Sequence, residues 1–221
     1  MSPSAAVARI QGLYGMVDDA FTDSVEAAAG ALLEAGCSVL QLRCKSMRPP
    51  ELEGSAGRIA AMADRSGALL IINDSLEVAA RLPGVGLHLG QQDVDLAQAR
   101  RVLGNGRVIG LSTHDEGELA DAVAKGADYV GFGAVFDTAT KGEQRRPPRV
   151  GLEGLGRALV LSPVPVVAIG GISLETIEMV GASGVAAAAV ISDLYSSGDV
   201  PARARELIAS FSRGRASIEV G

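Results

Sequence analysis

A closed (β/α)8 barrel, α/β in class and single-domain, is the fold this 221-residue chain predicts. Three observations predict it. Short apolar runs alternate strictly with amphipathic stretches, which argues for a parallel sheet with helical crossovers. Eight strand candidates are present, all but the third followed by a helix candidate, in a chain just long enough for one barrel. Glycines are spread along the chain, whereas a doubly wound open sheet would concentrate them in one phosphate loop.

Leu13-Tyr-Gly-Met-Val17 reads as a buried strand, and a helix from about Asp23 to Ala35 follows it, with Thr22 or Asp23 as its cap. Gly36 ends that helix and opens the strand Val39-Leu-Gln-Leu-Arg-Cys-Lys45. Side chains two apart in an extended chain share one side, so Gln41, Arg43 and Lys45 form a face with an amide and two cations. A helix runs from Pro49-Pro50 to about Ser66, with proline in its first turn. Ala68-Leu-Leu-Ile-Ile72 is a doubly covered strand ending in Asn73-Asp74.

Val85-Gly-Leu-His-Leu89 is the next strand, ending in Gly90-Gln-Gln-Asp93, and a helix over about Leu96 to Leu103 follows. Arg107 to Leu111 is a strand ending in Ser112-Thr-His114, then Glu116 to Lys125 is helical. Tyr129 to Phe132 is a strand, Gly151 to Leu161 a helix, and Val164 to Ile169 a strand ending in Gly170-Gly171. Leu174 to Val180 is helical, Val185 to Val190 is the last strand, and a final helix spans about Val200 to Ser212. The barrel domain is thus expected over 13–212, after an N-terminal extension of residues 1–12 and before a disordered tail at 213–221. The longest non-periodic segment, Asp137 to Val150, is the candidate lid.

Composition narrows the function classes. A hydrophobic content of 48% supports a large core, but aromatics are only 3%, which disfavours base stacking as a route to nucleic-acid binding. The formal net charge is −6 and the sequence pI about 5.0, with no basic tract, so neither nucleic acid nor an anionic membrane is an expected partner. No signal peptide or membrane-length apolar run is seen, and a cytoplasmic location is expected. Cys37 and Cys44 lie an odd distance apart on one segment and face opposite sides, which fits two free thiols in a reducing compartment.

In such a barrel, residues just after each strand converge at one end. The convergent set is Gln41, Arg43, Lys45, Asn73, Asp74, Asp93, Ser112, His114, Thr138, Thr140, Lys141, Gly171, Ile191 and Ser192. Asp74 and Asp93 follow neighbouring strands and suit a hard divalent cation; with Arg43, Lys45 and Lys141 beside them they match a polyphosphate. Read alone, the two aspartates are more often helix caps or loop acids. Gly170-Gly171 and Ile191-Ser192 resemble the backbone phosphate site that barrels build behind their last two strands, the plainer alternative being a tight turn. His88 lies within a strand and is read as structural; His114 is either a proton carrier or a cap of the next helix; Cys44 is read as packing. No Ser-His-Asp order or Cys/His metal cluster is present.

Gln41-Leu-Arg-Cys-Lys45, Ile72-Asn-Asp74, His88-Leu-Gly-Gln-Gln-Asp93, Ser112-Thr-His114, Ala127-Asp-Tyr-Val-Gly-Phe-Gly133, Thr138-Ala-Thr-Lys141, Gly151-Leu-Glu153, Ala168-Ile-Gly-Gly-Ile172 and Val190-Ile-Ser192 resemble, in order, the thiamine-phosphate synthase family. The resemblance spans about residues 13 to 195. It implies a Mg2+-dependent transferase that joins hydroxymethylpyrimidine diphosphate to a thiazole phosphate and releases diphosphate. Gln41, Arg43, Lys45, Asn73, Ser112 and Lys141 would then hold the pyrimidine diphosphate, with Arg43, Lys45, Ser112 and Lys141 as the catalytic set. Asp74 and Asp93 would hold Mg2+, and Thr138, Thr140, Gly171, Ile191 and Ser192 the thiazole phosphate. The chain departs from the family's usual pattern at Cys44, where an acid is common, and at Met16-Val-Asp-Asp19. The implied partners are phosphorylated small molecules, with homo-oligomerisation left open. Rival expectations are a thiazole tautomerase with His114 as base and a silent phosphate-ligand binder.

Overall fold

Strand order in the computed structural model, which describes residues 3–138 and 149–219, is the chain order, and the ring closes on itself. The strands are β1 (Gly12–Asp18), β2 (Val39–Arg43), β3 (Leu69–Asn73), β4 (Gly86–Leu89), β5 (Ile109–Thr113), β6 (Tyr129–Phe132), β7 (Val166–Ile169) and β8 (Ala187–Val190). Every pair is parallel, and β1 pairs with both β2 and β8. An open doubly wound sheet is therefore excluded. The helices are α1 (Pro3–Val7), α2 (Val25–Glu34), α3 (Pro49–Arg65), α4 (Leu76–Arg81), α5 (Leu96–Leu103), α6 (Glu116–Ala124), α7 (Gly151–Leu161), α8 (Ile177–Ala182), α9 (Ser192–Tyr195) and α10 (Val200–Glu219).

The strands sort their residues by parity. Leu40, Leu42, Leu70, Ile72, Leu87, Val130, Val166 and Ala188 point outward and join the helical faces in the larger core. Tyr14, Met16, Val39, Leu69, Ile71, Tyr129, Val167, Ala187 and Ala189 fill the interior. The residues before β1 extend that interior downward: Ala6 and Ile10 are buried in the same cluster, and Arg9 donates to the Ala68 carbonyl at 3.1 Å. The expected N-terminal extension thus packs as the floor of the barrel.

Several boundaries differ from those the sequence suggests. Ser24, not Thr22 or Asp23, caps α2 by accepting from the Ala27 N–H at 3.2 Å. β5 starts two residues later than Arg107 and runs through Ser112, so Ser112 is an inward strand residue and not a loop residue. β7 and β8 are shorter than expected, and α8 begins at Ile177 after a turn closed by Ser173 and Thr176. The largest correction concerns the tail: α10 continues to Glu219, well past Arg213. Two close helix crossings hold it. A Cβ on Gly214 would overlap the Glu178 carbonyl of α8, and one on Gly181 would overlap the Phe211 carbonyl, so both glycines let the helices touch. Arg215 then donates to the Gly184 and Val185 carbonyls at 2.8 and 3.0 Å.

Candidate active site

At the C-terminal end of the barrel a cavity is lined by Met16, Gln41, Arg43, Asn73, His88, Ser112, His114, Thr138, Gly171, Ile191 and Ser192, with further residues of β5 to β8. Nine of the convergent residues expected from sequence therefore share one space. Lys45, Asp74 and Asp93 stand beside it in the loops after β2, β3 and β4. Thr140 and Lys141, and most of the candidate lid, lie outside the described residues.

Parity explains the floor. Gln41, His88, Ser112 and two tyrosines, Tyr14 and Tyr129, all face inward and join in one chain of hydrogen bonds. Gln41 Nε2 donates to Tyr14 Oη at 2.8 Å, Tyr14 Oη meets Tyr129 Oη at 2.9 Å, and His88 Nδ1 meets Tyr129 Oη at 2.9 Å. His88 Nε2 then meets Ser112 Oγ at 2.8 Å. The Tyr129 ring fits only because position 110, opposite it in register, is glycine; a Cβ there would overlap the ring. Burial pushes the phenols of both tyrosines far above their ordinary range, so they stay neutral. His88 is held on both ring nitrogens, in keeping with a structural histidine, yet it also lines the cavity and fixes Ser112.

The cationic face is built as its alternation suggests, with one difference. Gln41 and Arg43 both face inward from β2, whereas Lys45 lies beyond the strand. Its ammonium reaches sideways to Asp74 Oδ2 at 3.2 Å. Asp74 is the single non-glycine residue with positive φ among the described residues, at 62°. Aspartate tolerates this region better than most side chains, and backbone strain of this kind gathers at functional sites. Asp93 accepts from the Gly90 N–H at 2.6 Å. Partial burial and then the hydrogen-bonded Asp74 carboxylate raise the Asp93 carboxyl above its ordinary value, against the Gly90 N–H and Lys45, which lower it. Two carboxylates within hydrogen-bonding reach of each other repel unless a proton or a cation lies between them, which is the donor chemistry of a hard-cation site.

The opposite wall is made of backbone. Gly170 and Gly171 have φ of 100° and 64°. A Cβ on Gly171 would overlap the Asp137 carbonyl and Phe136, so the close approach this glycine permits is to the segment leading into Thr138. Phe136 N–H donates to the Gly170 carbonyl at 3.0 Å and seals that contact. After β8, α9 follows Ile191 directly, and the Asp193 carboxylate accepts from the Leu174 N–H at 3.1 Å. The ends of β7 and β8 are thereby tied into one unit.

His114 lines the cavity and its Nδ1 meets Glu118 Oε2 at 2.8 Å, while Asp115 caps α6. The ring is thus oriented by a carboxylate and is not itself the cap. Cys44 packs against the outer core, and burial, with Asp19 and Asp18 nearby, pushes its thiol up to about 12. Both cysteines are free.

Sequence reasoning missed Tyr14, Tyr129, Asp18 and Asp19. For the tyrosines the signal was present in the inward parity of a strand that carries few other large groups. Asp18 offered a weaker one, since it continues the inward parity of Tyr14 and Met16.

Comparison with known proteins gives a consistent result. The family model described as "Thiamine monophosphate synthase" matches residues 13–194. A thiamine-phosphate synthase of Thioalkalivibrio sulfidiphilus is 41% identical over 206 residues, covering 92% of this chain and 96% of the relative. One of Myxococcus xanthus is 37% identical, covering 93% and 94%. The solved thiamine phosphate pyrophosphorylase from Pyrococcus furiosus superimposes with a TM-score of 0.86 at 28% identity, covering 94% of this chain and 98% of that one. The chain belongs to the thiamine monophosphate synthase family.

Proposed function

We propose that this member of the thiamine monophosphate synthase family is a working thiamine-phosphate synthase. It joins 4-amino-2-methyl-5-hydroxymethylpyrimidine diphosphate to 4-methyl-5-(2-phosphoethyl)thiazole and releases diphosphate. The observation that carries the reading is the Lys45–Asp74–Asp93 cluster, set beside a cavity whose far wall is the glycine and Ile191 backbone. One end of the cavity suits a polyphosphate with a cation, and the other suits a single phosphate.

Asp74 and Asp93 would hold Mg2+, and the pair fits it: two oxygen-donor carboxylates already close enough to repel. The ion when bound would offset the charge that gathers on the departing diphosphate. Arg43 and Lys45 bind and orient the same diphosphate, and Lys141 would complete this cationic set. The bond that breaks joins the pyrimidine methylene carbon to the diphosphate oxygen, and its electron pair leaves with the oxygen. Positive charge develops on the methylene, and the thiazole nitrogen supplies the pair that forms the new C–N bond. Gln41, Asn73 and Ser112 orient the pyrimidine end, with Ser112 kept in place by His88. Thr138, Thr140, Gly171, Ile191 and Ser192 take the thiazole phosphate. No protein nucleophile is needed.

A tautomerase reading draws on one observation, the orientation of His114 by Glu118, but leaves the Lys45–Asp74–Asp93 cluster without a use. The experiment is incubation of the purified chain with both substrates, with and without Mg2+, following thiamine phosphate and diphosphate. Mg2+-dependent product supports the synthase. A folded protein that binds the thiazole phosphate and forms no product would remove it.

A further inference from the structure

Arg43 is the last residue of β2 and Lys45 lies beyond the ladder, so the strand alone does not fix where these two cations point. Two consecutive acids at the end of β1 do. Asp18 lies directly opposite Arg43 in the β1–β2 register, on the same inward face. Its carboxylate is 0% exposed and accepts from Arg43 Nη1 and from the Ala20 N–H, the latter at 2.9 Å. A guanidinium carries five donors in a fixed plane, so pinning one of them sets the direction of the rest.

Asp19 works on the neighbouring loop. Its Oδ1 accepts from the Lys45 N–H at 3.2 Å, and its Oδ2 accepts from the Ser46 N–H at 2.9 Å and from Ser46 Oγ at 2.5 Å. Burial pushes this carboxyl up, but the hydrogen bonds from Ser46, Lys45 and Met47 outweigh it and bring it below its ordinary value. The loop so held is the one from which the Lys45 ammonium reaches Asp74. A free four-carbon stem would lose that placement to rotamer freedom.

We propose that Asp18 and Asp19 are positioning residues of the anion site, Asp18 by directing the Arg43 guanidinium and Asp19 by fixing the backbone from which Lys45 reaches Asp74. This rests on the reading of Arg43 and Lys45 as diphosphate ligands. Asp18 also keeps Arg43 partnered when no anion is bound, as Asp74 does the Lys45 ammonium, since an unpaired, partly desolvated cation is costly.

The test uses the full chain. Binding of inorganic diphosphate with Mg2+ is measured by calorimetry, and the KM of each substrate by steady-state kinetics. The variants are Asp19→Ala, Asp18→Asn, Arg43→Ala, Lys45→Ala and the double variant Asp19→Ala/Lys45→Ala. Asp19 is half-buried at the surface, so its replacement keeps the test decisive even where Asp18→Asn fails to fold. The expected result for Asp19→Ala is a diphosphate Kd and a pyrimidine-diphosphate KM raised about tenfold, the scale of one misplaced charged hydrogen bond. The thiazole-phosphate KM stays within about twofold, and the double variant is little worse than Lys45→Ala, because Asp19 acts through Lys45. An unchanged diphosphate Kd, equal loss for both substrates, or full additivity with Lys45→Ala would overturn the positioning role alone. Undiminished diphosphate binding by Arg43→Ala and Lys45→Ala would overturn the site reading and this proposal with it.

Discussion

Across one barrel mouth, the ends of β2 to β4 present charged side chains, whereas the ends of β7 and β8 present backbone. On the first side, position depends on one charge holding another: Asp18 on Arg43, Lys45 on Asp74, Asp74 against Asp93. On the second side it depends on the absence of side chains, with two glycines at positive φ pressed against the 134–137 segment. A charged site answers to pH, salt and metal. A backbone site answers mainly to sterics. The two halves should therefore fail in different ways.

The largest expected effect is on the charged side. Asp93→Asn should lower turnover by about 10²–10³-fold, the range found when a single electrostatic partner of the reacting charge is lost, as read by product formation at saturating Mg2+. Its stability should move the opposite way. The folded carboxyl is raised, so its contribution to stability is fully present below the unfolded value and is lost as pH rises through the folded one. At neutral pH the charged form is therefore a burden. Removing it should raise stability without Mg2+ by about 0.5 kcal/mol, since the group is exposed to solvent, as followed by thermal melting.

Gly171→Ala probes the other side. A Cβ there meets the Asp137 carbonyl and Phe136 from a left-handed backbone, for a cost of about 2 kcal/mol. The thiazole-phosphate KM should rise about tenfold while the pyrimidine-diphosphate KM stays within about twofold. Equal changes in both would dissolve the contrast between the halves. Ser112→Ala, between the two, removes the end of the Gln41–Tyr14–Tyr129–His88 chain and should lower kcat/KM about tenfold. The smallest effect belongs to Cys44. Its thiol stays protonated through the alkaline range, so Cys44→Ala should leave turnover within about twofold and iodoacetamide should label the parent slowly. Rapid labelling would contradict its packing role.

How much of this could be read in the sequence follows the same divide. α5, β6 and α7 begin and end where expected because apolar spacing and end signals agree there, as with Asp95 capping α5 and Gly104 closing it. The eightfold alternation carries the barrel, and strand ends carry most site residues. Contacts between strands are another matter. Asp18 and Arg43 are 25 residues apart, and nothing in either strand's own pattern announces the pair. The short helices α4 and α9 are too brief to show a period. The end of α10 misleads in a different way: the residues after Ser212 read as a disordered tail, and only the fold shows Gly214 and Gly181 as the places where α8 and α10 meet.

The closure of β1 on β8 has a consequence for how the chain comes to exist at all. The two strands that complete the ring lie at opposite ends of the sequence, and α10, which follows both, packs against α8, β1 and α2. During synthesis β1 therefore waits with one side unpaired until the last fifth or so of the polypeptide has emerged, a state open to pairing with the wrong strand. The clasp formed by α10 is the step that ends this exposure, and trimming it back to Arg213 would be felt first in the yield of folded protein and only afterwards in catalysis.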